Sequence, residues 1–99
     1  MKIVAVTACP TGIAHTYMAA EQLEKTARQL GHLIKVETQG AMGIENKLSA
    51  ADIQGADLAI FAADIAVQNR ERFANLKIVE VAVQDAIKNP AALFNGLAE

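Results

Sequence analysis

The sequence predicts an α/β fold: a single open four-stranded parallel sheet of order 2-1-3-4 with helices on both faces, a Rossmann-like three-layer sandwich. Three observations carry that expectation. Residues 3–6 and 58–63 are continuously apolar, the pattern of strands covered on both faces. Residues 33–38 and 77–81 mix charged with apolar positions, the pattern of edge strands. Helical segments separate the strands, so the chain reads βαβαβαβα, which gives a parallel sheet with right-handed crossovers. With the two apolar strands central, that order follows.

Composition sets the outer limits. Ninety-nine residues suit one domain with one core. The chain is 53% hydrophobic but only 4% aromatic, so the core is aliphatic and rich in alanine. A net charge of −2 argues against a general nucleic-acid surface. A single cysteine rules out an internal disulfide and a multi-cysteine metal site. No apolar run approaches the roughly 20 residues of a membrane span, and Met1-Lys2 leads into a strand rather than a signal peptide. A reducing cytoplasm is the natural home of a functional thiol. No cofactor motif or metal-ligand cluster is legible.

The first strand ends at Cys9-Pro10-Thr11-Gly12, where Pro stops the ladder and Gly permits unusual backbone angles. From Ile13 the pattern turns helical: Ile13, Tyr17, Ala20, Leu23, Ala27 and Leu30 recur on one face. Glu21 with Lys25, and Glu24 with Arg28, lie elsewhere as favourable i,i+4 pairs. Gly31 is a good helix stop, and His32 reads as a solvated turn histidine. In the second strand, Lys35 and Glu37 suggest an edge. Its loop holds Gly40 and Gly43, spaced either for a turn close to a ligand or partner or for a plain surface turn. Ser49 and Asp52 resemble a capping box for a short helix that ends at Gly55.

The third strand closes at Asp64, at the carboxyl end where ligands bind in open α/β sheets. Asp64 either orients the loop or caps the next segment. Residues 68–75 read as a short helical or irregular connection with Arg70 and Arg72 exposed and Phe73 anchored in the core. The arginines meet an acidic partner or simply water. A last helix runs from Asp85 to Lys88 and restarts at Asn89-Pro90, with Leu93, Phe94 and Leu97 on its apolar face.

The only cysteine thus lies where a central strand hands over to a helix. Unpaired amides and the positive end of the helix dipole favour an anion there, either a bound phosphate or a thiolate. Thr11 and Thr16 add hydroxyl donors, and Gly12 lets the backbone come close. Cys9 then accepts and carries a phosphoryl group; in the alternative it is a small buried hydrophobe. His15 either donates to the phosphate or decorates the helix start.

The segment Cys9-Pro-Thr-Gly-Ile-Ala-His-Thr-Tyr-Met-Ala-Ala-Glu21 resembles the signature of the fructose-family enzyme IIB components of the bacterial sugar phosphotransferase system. Val36-Glu-Thr-Gln-Gly40, Gly43, Glu45-Asn46, Ala62-Ala-Asp64 and Arg72-Phe73 also match in order and spacing, so the resemblance covers essentially the whole chain. It implies that Cys9 takes phosphate from a phosphohistidine on the IIA component. Cys9 then gives the phosphate to a sugar, fructose by default, held by the membrane-embedded IIC component. Cys9 is the implied nucleophile, and Pro10, Thr11, Gly12, Ile13, Ala14, His15 and Thr16 form the phosphate-binding loop. Asp64, Gly40 and Gly43 are supporting candidates, and neither metal nor cofactor is implied. The chain would lie in the cytoplasm and meet the membrane through IIC.

Three rival functions would use the same residues. A cysteine phosphatase closes its loop with an arginine six positions after the cysteine, where this chain has His15. A thiol redox module needs a second cysteine at position 12, which is Gly. A non-catalytic binding module would keep the fold without a reactive Cys9.

Overall fold

The computed structural model describes residues 1–9, 13–40 and 43–95. In chain order the strands are β1 Lys2–Ala8, β2 Leu33–Gly40, β3 Gly43–Glu45, β4 Leu58–Ala63 and β5 Ile78–Val81. The α-helices are α1 Ile13–Gln29, α2 Ala50–Gln54, α3 Val83–Lys88 and α4 Pro90–Asn95, and a 3-10 helix covers Arg70–Phe73. The fold is α/β, but the sheet has five strands and is mixed, in the order β3-β2-β1-β4-β5.

The four expected strands are present as the parallel part, in the expected relative order. The correction is β3, a three-residue strand that folds back antiparallel on β2, pairing Gly40 with Gly43 and Thr38 with Glu45. It covers the carboxyl half of β2, so β2 is an edge only over its first half. A hairpin this short leaves no periodicity to read.

Strand β1 sits in the centre, with β2 and β4 hydrogen-bonded on either side. Its alternation divides the core. Ile3, Ala5 and Cys9 face α1, α3 and α4, where Ala19, Leu23, Ala27, Val83, Ala86 and Phe94 pack. Val4 and Val6 face α2 and the 3-10 helix, against Leu48, Ile53, Phe61 and Phe73. Phe61 and Phe73 meet edge to face with centroids 5.0 Å apart. Helices therefore cover both faces, as expected.

The inward face of α1 is rotated from the expected one. Ala20, Leu23 and Ala27 are buried, but Tyr17 and Leu30 stand exposed, while Thr16, Ala19 and Thr26 take the buried positions. Alanines and threonines flank Leu23 on the buried face, and Tyr17 and Leu30 are displaced outward. Gly31 has φ of +81° and ends the helix as read. The capping box of α2 is present: Asp52 N donates to Ser49 Oγ at 3.1 Å and Ser49 N donates to Asp52 Oδ2 at 3.0 Å. Helix α3 begins two residues before the expected Asp85, because its first amide is held by a distant side chain. His32 is half-buried, not a solvated turn residue: its ring stacks on Phe94 with centroids 6.1 Å apart. Leu97 lies outside the described residues.

Candidate active site

Cys9 leaves the end of β1 on the α1 face and is 2% exposed. Its N–H donates to the Gln39 carbonyl at 3.3 Å, extending the ladder one residue past the strand. Its sulfur lies 4.0 Å from His15 Nδ1. Proton direction between them follows from the imidazole: a bare Nδ1 accepts from S–H, and an imidazolium donates to the thiolate. Ala14 and His15 are exposed in the first turn of α1, which contains no acidic residue to offset the positive helix end. Thr16 is 1% exposed, and its carbonyl accepts from Thr7 Oγ1 at 3.1 Å, pinning that turn to β1. Pro10, Thr11 and Gly12 lie outside the described residues, and of Ile13 only the backbone is described.

Gly40 joins the site from β2. A Cβ there would stand 3.8 Å from Thr16 Cγ2 and 3.9 Å from the Cys9 carbonyl, so its backbone lies directly against both residues. Gly43 has φ of +90°, the left-handed region that glycine adopts without strain, and opens β3. Ala41 and Met42 lie outside the described residues. The Tyr17 hydroxyl donates to Glu45 Oε1, tying the start of α1 to β3. That bond and the nearby carboxylate raise the phenol above its ordinary value.

Asp64 bounds the other side. Its N–H donates to the Ala8 carbonyl at 2.9 Å, and its Oδ1 accepts from Val83 N at 3.1 Å, holding the first amide of α3. The side chain is thus engaged with the helix start across the crevice. The residues brought together around Cys9 are His15, Thr16 and Gly40, with Asp64 one strand away.

Sequence reasoning missed the polar cluster beneath this site. Glu37 is 0% exposed, not an edge charge, and Arg72 is not an exposed arginine: its side chain is 19% exposed. The two form a fork, Nη1 to Oε1 and Nη2 to Oε2, both at 3.0 Å. Leu48 N donates to Glu37 Oε1 at 2.9 Å, and Gln39 Nε2 donates to Oε2 at 2.7 Å. Burial would push the carboxyl up, but these four donors outweigh it and hold it below its ordinary value. Gln39 continues the chain of bonds, its Oε1 accepting from Gln68 N at 2.8 Å and its Nε2 reaching Gln68 O at 3.2 Å. Arg72 also lies over the Phe73 ring. Arg70 stays at the surface with Glu80, 2.7 Å away. The available signal was a Glu and a Gln inside an otherwise apolar strand end, with an Arg beside a core Phe.

A surface cavity of about 860 Å³ lies between α2 and residues 72–76, lined by Leu48, Ile53, Arg72 and Leu76. Its described lining shares no residue with the Cys9 crevice. Among the described residues, no helix is long and apolar enough to cross a membrane.

A model of the family described as "PTS system, Lactose/Cellobiose specific IIB subunit" matches residues 4–96. The chain belongs to this IIB family. Fructose-like EIIB component 2 of Escherichia coli K12 is 52% identical over 95% of this chain and 89% of its own length. A fructose-like EIIBC component of the same strain is 52% identical over 98% of this chain and 20% of its length. A crystal structure of a domain from the fructose-specific IIABC component of Borrelia burgdorferi superposes with a TM-score of 0.90. It is 43% identical, covering 94% of this chain and 88% of that one. The chain is accordingly a fructose-type EIIB component, a phosphocarrier among the phosphotransferases of sugar uptake. The resemblance to fructose-type IIB components is confirmed.

Proposed function

We propose that Cys9 is the phosphoryl-carrying nucleophile of this IIB component, that a phosphorylated IIA component is its donor, and that a sugar held by a membrane IIC component is its acceptor. One observation carries the reading: the only cysteine sits at the carboxyl end of the central strand, 4.0 Å from His15 on the first turn of α1, the positive end of that helix. In the first displacement the Cys9 sulfur attacks the phosphorus of a donor phosphohistidine. An S–P bond forms, the N–P bond breaks, and the electron pair leaves on the donor imidazole. His15 takes the thiol proton or, once protonated, donates to a phosphoryl oxygen. Thr11, Gly12, Ile13 and Thr16 supply amides and hydroxyls to the phosphoryl oxygens, and offsetting their charge is the main catalytic term in such transfers. In the second displacement a sugar hydroxyl attacks phosphorus, the O–P bond forms, and the pair returns to sulfur as the hydroxyl proton passes to base.

The names of the relatives support the partners: one joins B and C in a single component, and another joins A, B and C. Fructose-like names support a ketose as the sugar. This IIB component then works in the cytoplasm against IIC. Intact mass tests the reading. The wild type and Cys9→Ser are incubated with phosphoenolpyruvate, the general phosphotransferase proteins and a fructose-type IIA. Gain of one phosphoryl group by the wild type alone is the expected result. No gain by a folded wild type across several demonstrably phosphorylated IIA donors overturns it.

A further inference from the structure

Strands β2 and β4 do not touch; β1 lies between them. Their carboxyl ends are nevertheless tied together beneath Cys9. Glu37 and Gln39 point from β2 onto the α2 face, where Gln39 presents its amide to the backbone of Gln68. Both bonds form, Gln68 N to Oε1 at 2.8 Å and Nε2 to Gln68 O at 3.2 Å, so the side chain acts as one rung of a ladder. Gln68 belongs to the segment that follows β4, itself fixed at its start by Asp64 N on the Ala8 carbonyl. Ala8 pairs with Gln39 on one side and with Ala63 on the other, and is 0% exposed. Residue 8 is small, so the Gln39 side chain can pass under the end of β1.

Two further groups fix the amide's orientation. Glu37 Oε2 accepts from Nε2 at 2.7 Å, which assigns nitrogen and oxygen to their ends. Arg72 pins Glu37 with its fork and also binds Asn69 O through Nε at 2.9 Å and Gln68 O through Nη2 at 3.4 Å. Asn69 has φ of +57°, a left-handed conformation that Asn adopts more readily than most residues, and Arg72 Nε bonds its carbonyl. The backbone of the same Gln39 accepts the Cys9 N–H. One residue therefore sets both the height of the cysteine and the distance between the two walls of its crevice.

We infer that Gln39, oriented by the Glu37–Arg72 pair, is a positioning residue for phosphoryl transfer: it fixes the Cys9 backbone and residues 64–69 as one rigid frame around the reacting sulfur. The inference rests on the phosphocarrier reading above. In-line displacement tolerates little misplacement of nucleophile against phosphorus, and about 1 Å can cost about 100-fold in rate. A frame held by buried charge-assisted bonds supplies that fixity without touching the phosphate.

The test is single-turnover transfer from a phosphorylated IIA to the full chain, fitted for maximal rate and half-saturating donor, in wild type, Gln39→Met and Arg72→Lys. Gln39→Met keeps the volume and the Cys9 carbonyl bond but loses both bonds to Gln68. Arg72→Lys keeps the charge but loses the fork. The expected result is a maximal rate at least about tenfold lower in each folded variant, with half-saturation within about twofold of wild type. Hydrogen exchange at the Cys9 amide should rise in parallel in Gln39→Met. Gln39→Met unchanged in maximal rate overturns the inference, whatever its melting temperature. So does a loss confined to half-saturation, which makes the segment a docking surface. If Gln39→Met does not fold, Arg72→Lys is read by the same criteria. A wild type that takes no phosphate overturns the phosphocarrier reading itself; a transferring wild type matched by its variants overturns the inference alone.

Discussion

The two ends of the sheet are built from different materials. At the carboxyl end of the strands, Thr7, Thr16, Glu37, Thr38 and Gln39 are all at least nine-tenths buried. At the amino end, Met1, Leu30 and Leu33 are exposed, and Leu33 reaches 70%. Most of the buried polar side chains thus lie at one end of a small domain. Buried polar groups need partners, and those of Glu37 and Gln39 come from the connecting segments: Gln68 and Arg72 from the segment after β4, Leu48 from the segment before α2. The carboxyl end uses buried polar side chains to fix loop positions, whereas at the amino end the bond from Lys2 N to Asp57 Oδ2 is exposed. Phosphoryl transfer needs a fixed nucleophile, so the cost of burying polar groups is concentrated where position matters.

The largest effect expected from breaking this contrast is at Cys9. Cys9→Ser should abolish phosphate uptake measured by intact mass, while the folded signal in circular dichroism persists, because the change removes the nucleophile and adds only one buried hydroxyl. Next comes the buried pair. Arg72→Met leaves Glu37 without its cation and should cost about 3–5 kcal/mol in denaturant unfolding, as removing one member of a buried pair generally does. Phe94→Ala at the opposite end should cost about 3 kcal/mol as well, since Phe94 is 1% exposed and backs His32. The transfer rates separate the two ends: Arg72→Met slows transfer, and folded Phe94→Ala does not. If Phe94→Ala slowed transfer equally, the division of labour between the ends would be lost.

The sequence made the site easier to read than its support. The strand, loop and helix of Cys9 are contiguous, so apolar run, Pro-Gly break and helical period appear in order within sixteen residues. The capping box of α2 is equally local. The frame under the site is not: Gln39 meets Gln68 and Glu37 meets Arg72 across 29 and 35 positions. A lone Glu in a strand has the same appearance whether it faces water or a partly buried arginine, so Glu37 read as an edge signal. Helix α3 shows the same limit, since its start is set by Asp64, 19 positions away. β3 escaped for a third reason: it is three residues long, too short to carry a hydrophobic pattern.

Acid sharpens the comparison at smaller amplitude. Glu37 titrates below its ordinary 4.5 in the folded chain. A depressed carboxyl contributes stability that is fully present above the unfolded value and lost as pH falls through the folded one. The stability gap between wild type and a Glu37→Gln, Arg72→Met double variant should therefore shift against the wild type as pH drops below about 4.5. Asp52 is present in both chains, so its own titration, lowered to about 2 first of all by the Lys35 bond, cancels from the difference. A gap constant from pH 6 to 2, measured by urea unfolding, would mean that Glu37 does not feel its partners.

The smallest effect tests whether burial, rather than charge pairing as such, makes the carboxyl end special. Lys35 stands two residues before Glu37 on the same face of β2 and also holds an acid, Asp52, with Nζ to Oδ1 at 2.9 Å. That distance matches the Arg72 fork, but the Lys35 side chain is 67% exposed and water screens the pair. Asp52 keeps its bonds to the Ser49 amide and hydroxyl when Lys35 is removed, so α2 remains capped. Lys35→Ala should then lower the melting temperature by no more than about 4 °C and leave transfer unchanged. A drop as large as that of Arg72→Met would show that ion pairs on this face stabilise the domain regardless of depth. The buried pair would then have no special claim to the site above it.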